Sequence, residues 1–283
     1  MASATRMMNH YRRHTDRNPA SSLTCSASVR SMFWIAVALG LYLTVDSAIA
    51  NAQSQTDTQQ SYSSGPAPVP LVELYTSEGC SSCPPADRWI SGLKAHKGLW
   101  TDFVPVAFHV NYWDSIGWPD RFAKESFGQR QRQYAREGVV RGVYTPGVVA
   151  GGTEWHGWRQ GRAIPTTAGL GGELHAVLHN NELRVRYSAP GGSDSIDEYR
   201  VHVAWLSMEQ VSEVRRGENR GKRLVNDFVV LAKAELPLVS ADGKAEVALP
   251  KTSEAGAMAK AVALWVSAKG SQAPLQATGG WIH

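Results

Sequence analysis

Apolar residues run almost without a break over positions 69–75, where Val69, Leu71, Val72, Leu74 and Tyr75 surround a single charge, Glu73. A short continuous run of this kind reads as a buried strand. Beyond it, Ala86, Trp89, Ile90 and Leu93 recur at helical spacing. Proline is tolerated in the first turn of a helix and poorly further in, so Pro84 and Pro85 either make Cys83 the N-cap, with Cys80 in the preceding loop, or distort the first turn. Positions 103–110 form the next strand candidate, in which Pro105 predicts a bulge or an irregular stretch. Strand, helix and strand in that order predict a parallel β-α-β unit with a right-handed crossover. A polar helix rich in Gln and Arg is expected over 125–137, stopped by Gly138. Another apolar strand follows, entered through Thr145-Pro146 and left through Gly151-Gly152.

The second half of the chain changes period. Short β-type runs recur at 173–179, 182–187, 199–207, 224–234, 245–249 and 261–268. Turn signals separate them, among them Asn180-Asn181, Pro190-Gly191-Gly192 and Asp242-Gly243. Leu183 and Val185 alternate with Arg184 and Arg186 ahead of Tyr187, as in a half-buried strand. The pattern predicts an all-β, sandwich-like domain over residues 169–283, set off by the breaker-rich stretch 161–172. The charged, glycine-containing segment 209–222 interrupts it, as an exposed loop or as a contact surface near the Cys80–Cys83 pair.

The N-terminus adds a compartment. Arg6, Arg12, Arg13, Arg17 and Arg30 precede an uncharged run of 15 residues, 31–45. That is short of the ~20 residues a membrane-spanning helix needs. The small-x-small patterns Ala48-Ile49-Ala50 and Ala50-Asn51-Ala52 follow, as signal peptidase requires, so residues 1–52 read as a signal peptide. Residues 53–68, poor in charge and rich in Gln, Ser, Thr, Gly and Pro, read as a flexible linker. Cleavage would remove five Arg and two Asp, taking Lys+Arg from 29 to 24 and Asp+Glu from 25 to 23, so the net charge falls from +4 to +1. That balance gives no case for nucleic-acid binding. The expected setting is periplasmic or secreted, with no membrane span once the signal is gone.

Cleavage would also remove Cys25 and leave Cys80 and Cys83 as the only cysteines. A Cys-x-x-Cys carried by a strand to the start of a helix meets unpaired N–H groups and a positive dipole end, both of which favour thiolate over thiol. The expected function is thiol–disulfide exchange, with Cys80 the more exposed nucleophile and Cys83 the buried resolving thiol. The expected partners are protein thiols or disulfides, or another redox protein. No cofactor or metal is expected. Three other readings stay open. A structural disulfide would close a very short loop and so gain little. A binding or assembly protein could carry the pair oxidised and inert. A copper-handling chaperone could use both thiolates with a histidine such as His109. Glu73 is either a strand residue facing water or a buried carboxylate that moves protons under the dithiol. The aromatic loop 111–120, with Trp113 and Trp118, could wall the site or only pack the loop down.

Three stretches carry a resemblance: Tyr-Thr-Ser-Glu-Gly-Cys-Ser-Ser-Cys-Pro-Pro-Ala-Asp from Tyr75, Phe-His-Val-Asn-Tyr-Trp-Asp from Phe108, and Arg-Gly-Val-Tyr-Thr-Pro from Arg141. Together with Arg-Gly-Glu-Asn-Arg-Gly-Lys from Arg216, they resemble an exported bacterial family of unassigned function (domain of unknown function 1223). The wider resemblance is to thioredoxin-like proteins, from which the chain departs in having Glu78-Gly79 before Cys80 and Ser81-Ser82 between the cysteines. It implies an α/β thioredoxin-like N-terminal domain over 69–168, followed by the all-β sandwich-like C-terminal domain. It also implies Cys80 as nucleophile, Cys83 as resolving thiol, and a cis Thr145–Pro146 bond that brings the Thr145 backbone beside the dithiol.

Overall fold

The computed structural model describes residues 59–180, 182–191, 198–238, 244–248 and 258–283. The expected signal peptide 1–52 and the first part of the linker, 53–58, lie outside the described residues. No described helix is long and apolar enough to cross a membrane.

Strand β1 (Gln60–Ser63) lies inside the stretch read as a linker and pairs antiparallel with β6 (Glu173–His179). Strands β2 (Leu71–Thr76) and β3 (Val104–His109) are buried at every position and pair in parallel, which is why they read as continuous apolar runs. Between them lies helix α1 (Pro84–Gly92). Pro105 causes no bulge in β3, which stays in register with β2. Its nitrogen faces the same side as that of Ala107, whose N–H donates to the Phe228 carbonyl at 2.8 Å. On that side the neighbouring strand β11 (Val229–Pro237) pairs only at Ala107, so no ladder donor is lost at Pro105. Helix α2 (Glu125–Arg136) follows, then the short hairpin of β4 (Gly147–Ala150) and β5 (Thr153–Glu154).

The remaining strands do not form a domain of their own. Strands β8 (Tyr199–Ser207), β11, β13 (Ala261–Ala268) and β14 (Pro274–Trp281) extend the same sheet, whose order is β14-β13-β8-β11-β3-β2-β4-β5. A second sheet has the order β1-β6-β7-β12, with β7 at Glu182–Ser188 and β12 at Lys244–Ala248. Strands β9 (Gln210–Glu213) and β10 (Arg223–Asn226) make a separate hairpin.

The expected α/β thioredoxin-like N-terminal domain with a separate all-β sandwich behind it is therefore corrected. Strands take up 41% of the described residues and helices 18%, and one large mixed sheet runs through both halves. The physical reason is alternation along β8 and β13. Ala204, Leu206, Ala263 and Trp265 face the core that also holds Leu74, Val106 and Phe108. Val201, Val203, Val262 and Leu264 face the other way, onto Leu174, Leu183 and Val185 of the second sheet. The same strands thus complete both cores, and neither half closes its apolar surface alone.

Candidate active site

Strand β2 ends at Thr76, and the chain turns through Ser77–Gly79, with the Cys80 N–H donating to the Ser77 carbonyl at 3.1 Å. Cys83 caps α1 through its backbone: its carbonyl accepts from Ala86 and Asp87 at 2.8 and 3.1 Å, and Pro84 occupies the first turn, where a missing N–H costs nothing. Gly79 sits at a close approach. A Cβ there would lie 3.2 Å from the Trp113 Cβ and 3.3 Å from the Trp118 carbonyl. The Thr145–Pro146 bond is cis, and the Thr145 carbonyl lies 3.9 Å from Cys80 Sγ. The structure thus brings Cys80, Cys83, Thr145 and Pro146 to one place.

Both thiols are free, and both are fully buried. Cys80 is therefore not the more exposed sulfur, and exposure does not distinguish the two. Hydrogen bonding does. The Cys80 thiol is pulled down from 9.0 to about 6, chiefly by a hydrogen bond from Cys83. Burial opposes that shift, and donors from Ser82 and Thr145 assist it. Ser82 Oγ lies 3.2 Å from Cys80 Sγ. Trp113 Nε1 donates to Thr145 Oγ1 at 2.7 Å and holds that side chain in place. The Cys83 thiol is pushed up, first by burial and then by its bond to Cys80 and the charge of Asp87. One sulfur is built to hold negative charge and the other to hold its proton.

Asp87, one turn into α1, accepts from the Thr76 hydroxyl at 2.7 Å. Burial pushes its carboxyl up to about 7. Close by, His109 Nδ1 and Asp120 Oδ2 are 2.6 Å apart and both side chains are buried. Burial alone would lower the His109 pKa, but the charge and hydrogen bond of Asp120, with Asp87 and Glu78 nearby, raise it. Asp120 is held below its ordinary value: burial works against this, and His109 and the N–H groups of Glu78 and Phe122 outweigh burial. His109 Nε2 is buried without a hydrogen-bond partner among the described residues. Among those residues no group of three or more His, Cys, Asp and Glu side chains is disposed to hold a metal ion.

Glu73 neither faces water nor reaches the dithiol. Its carboxylate takes Arg130 Nε and Nη2 at 2.7 and 3.0 Å and the hydroxyls of Tyr75 and Tyr134 at 2.8 and 2.6 Å. Four donors make it a structural anion that locks β2 to α2. Asp87, not Glu73, is the acid under the cysteines. Its place four residues after Cys83, on the same helical face, was the available signal.

The second contribution comes from the far half of the chain. Asn219, fully buried, donates its amide hydrogens to the carbonyls of Glu78 and Cys80 at 2.9 and 2.8 Å. Glu218 Oε2 accepts from the Ser81 N–H at 3.0 Å. Glu78 is itself fixed by Trp118 Nε1 at 3.0 Å and Asn226 Nδ2 at 2.8 Å. The aromatic loop and the β9–β10 hairpin therefore both wall the dithiol.

Three comparisons bear on this arrangement. A family model described as "Protein of unknown function (DUF1223)" matches residues 71–267. No curated protein matches the sequence. A crystal structure of a protein from Agrobacterium tumefaciens, 24% identical, shares the fold with a TM-score of 0.54, over 76% of this chain and 95% of that one. HBP35 of Porphyromonas gingivalis, 14% identical, aligns with a TM-score of 0.45, over 77% of this chain and 76% of that one.

Proposed function

The chain belongs to the DUF1223 family of proteins of unknown function, a membership that assigns no chemistry, and we propose that its Cys80–Cys83 pair carries out thiol–disulfide exchange. The observation that supports this reading is the division of labour between the sulfurs, with Cys80 lowered to about 6 and Cys83 raised beside the buried Asp87. A structural thiol pair has no use for such a division, whereas a nucleophile and its resolving partner depend on it.

In the reaction, the Cys80 thiolate attacks one sulfur of a substrate disulfide. A Cys80–substrate disulfide forms, and the other substrate sulfur leaves as thiolate. Cys83 then gives its proton to the Asp87 carboxylate and attacks Cys80 Sγ. The Cys80–Cys83 bond forms, the substrate's second sulfur leaves, and each released thiolate takes up a proton. Two electrons pass from the dithiol to the substrate disulfide; run backwards, the same steps oxidise a substrate dithiol. The partners are protein thiols and disulfides in an oxidising compartment outside the cytosol, in keeping with the signal-like residues 1–52 and the absence of other cysteines after them.

Trapping tests the assignment of roles. In Cys83→Ser the mixed disulfide on Cys80 cannot be resolved, so it should accumulate and be seen by mass spectrometry after exposure to a small disulfide. Cys80→Ser should accumulate almost none. Equal trapping by both variants, or by neither, overturns the roles of nucleophile and resolving thiol.

A further inference from the structure

We infer that the surface around the dithiol is a docking face for an acidic, partly apolar segment of a partner protein, an inference that rests on the exchange reading above. The first observation is a concentration of unpaired positive charge. The loop from Val214 to Lys222 is the part of the far half that touches the dithiol: Glu218 takes the Ser81 N–H, Asn219 takes the Cys80 carbonyl, and a Cβ on Gly217 would lie 3.3 Å from Trp118 atoms. Interleaved with these contacts are Arg215, Arg216 and Arg220, all exposed and none paired with an acid among the described residues. Within the loop Glu218 is the only acid, and it is already engaged by Ser81. In a chain of net charge +1 after removal of residues 1–52, three free guanidinium groups beside one reactive sulfur are a local feature, not a reflection of overall basicity.

The second observation is apolar exposure on two further segments that flank the dithiol. Ile116 is 60% exposed in the aromatic loop, next to Gly117, whose Cβ position would meet Gly217. Val143 is 40% exposed two residues before Thr145. Large apolar side chains left in water around a site, rimmed by arginine, are the composition of a protein contact surface. The three arginines, Ile116 and Val143 come from three separate segments around the dithiol, more than one small thiol would engage. The chemistry at the centre requires a sulfur in the ligand, which selects a polypeptide over a nucleic acid or a lipid. Guanidinium groups pair with carboxylates in forked geometry, which selects an acidic polypeptide.

The test uses the reduced full-length protein and two synthetic peptides, each with one cysteine blocked as a 2-thiopyridyl disulfide. One peptide places Asp, Glu and Leu around the cysteine, the other Lys and Leu; hydroxyethyl disulfide is the neutral small reference. At low salt the acidic peptide should react roughly 10-fold faster than the basic one, and the gap should close as salt is raised. The variant with Arg215→Glu, Arg216→Glu and Arg220→Glu should lose or invert that preference while reacting normally with hydroxyethyl disulfide. Ile116→Ser with Val143→Ser should slow both peptides and spare the small disulfide. Equal rates for the two peptides, or a preference that survives charge reversal, overturn the docking face and leave the exchange reading standing. Failure of the unmodified protein to react even with hydroxyethyl disulfide overturns the exchange reading, and the docking face with it.

Discussion

Asp87 titrates near 7 in the folded protein because it is buried, against an ordinary value of 3.8 for an aspartate in water. Between those two values the folded state binds more protons than the unfolded one, so stability falls as the pH rises. The contribution is fully present below about pH 4 and lost above about pH 7. Asp87→Asn, neutral throughout, should therefore stabilise the protein at pH 8, by on the order of 2–4 kcal/mol, and change little at pH 4. The same variant should resolve mixed disulfides at least 10-fold more slowly, since Cys83 loses its proton acceptor. Paired melting curves at the two pH values check the first expectation and single-turnover resolution the second. A variant destabilised at pH 8 would mean that the carboxylate serves packing, not proton transfer. The cysteines themselves could be read from the sequence because spacing and the following prolines sit side by side in it. Asp87 could not be told from Glu73 in the same way: both are acids in apolar surroundings, and only the fold shows that Arg130 pairs with one while the other accepts from the Thr76 hydroxyl.

Helix α2, expected over 125–137, spans Glu125–Arg136, and the strands at Glu173–His179, Tyr199–Ser207 and Ala261–Ala268 follow the apolar runs directly. These elements were legible because period and stop signals are local properties. The β9–β10 hairpin was not, since its meaning lies in contacts across about 140 residues of chain: Asn219 with Cys80 and Asn226 with Glu78. A single asparagine in a charged loop gives no sign that it will be buried. Asn219→Ala removes the donors that hold the Glu78 and Cys80 carbonyls, and should cost about 1–3 kcal/mol. It should also speed alkylation of Cys80, because the loop that covers the sulfur loses its anchor. Unchanged labelling kinetics would show that the hairpin does not control access.

The large sheet makes the two halves of the chain depend on each other. A fragment of residues 69–168 would leave β3, buried at all of its positions, without β11, and the core would lose Leu206, Ala263 and Trp265. That fragment should show no cooperative thermal transition, and a sharp one would mean that the N-terminal elements fold alone. The shared sheet was hidden in the sequence because the apolar runs of β8 and β13 mark strands buried on both faces but do not say which distant strands lie beside them. At the level of the whole protein, the proposed function requires the dithiol to exchange electrons with its surroundings. Equilibration with glutathione redox mixtures, followed by quantitation of the Cys80–Cys83 disulfide, tests this most directly. A Cys80 thiol lowered to about 6 stabilises the reduced form, so the pair should sit above about −230 mV and be half-oxidised within the glutathione range. A pair that stays fully oxidised in every mixture, below about −300 mV, would behave as a structural disulfide and contradict the exchange function.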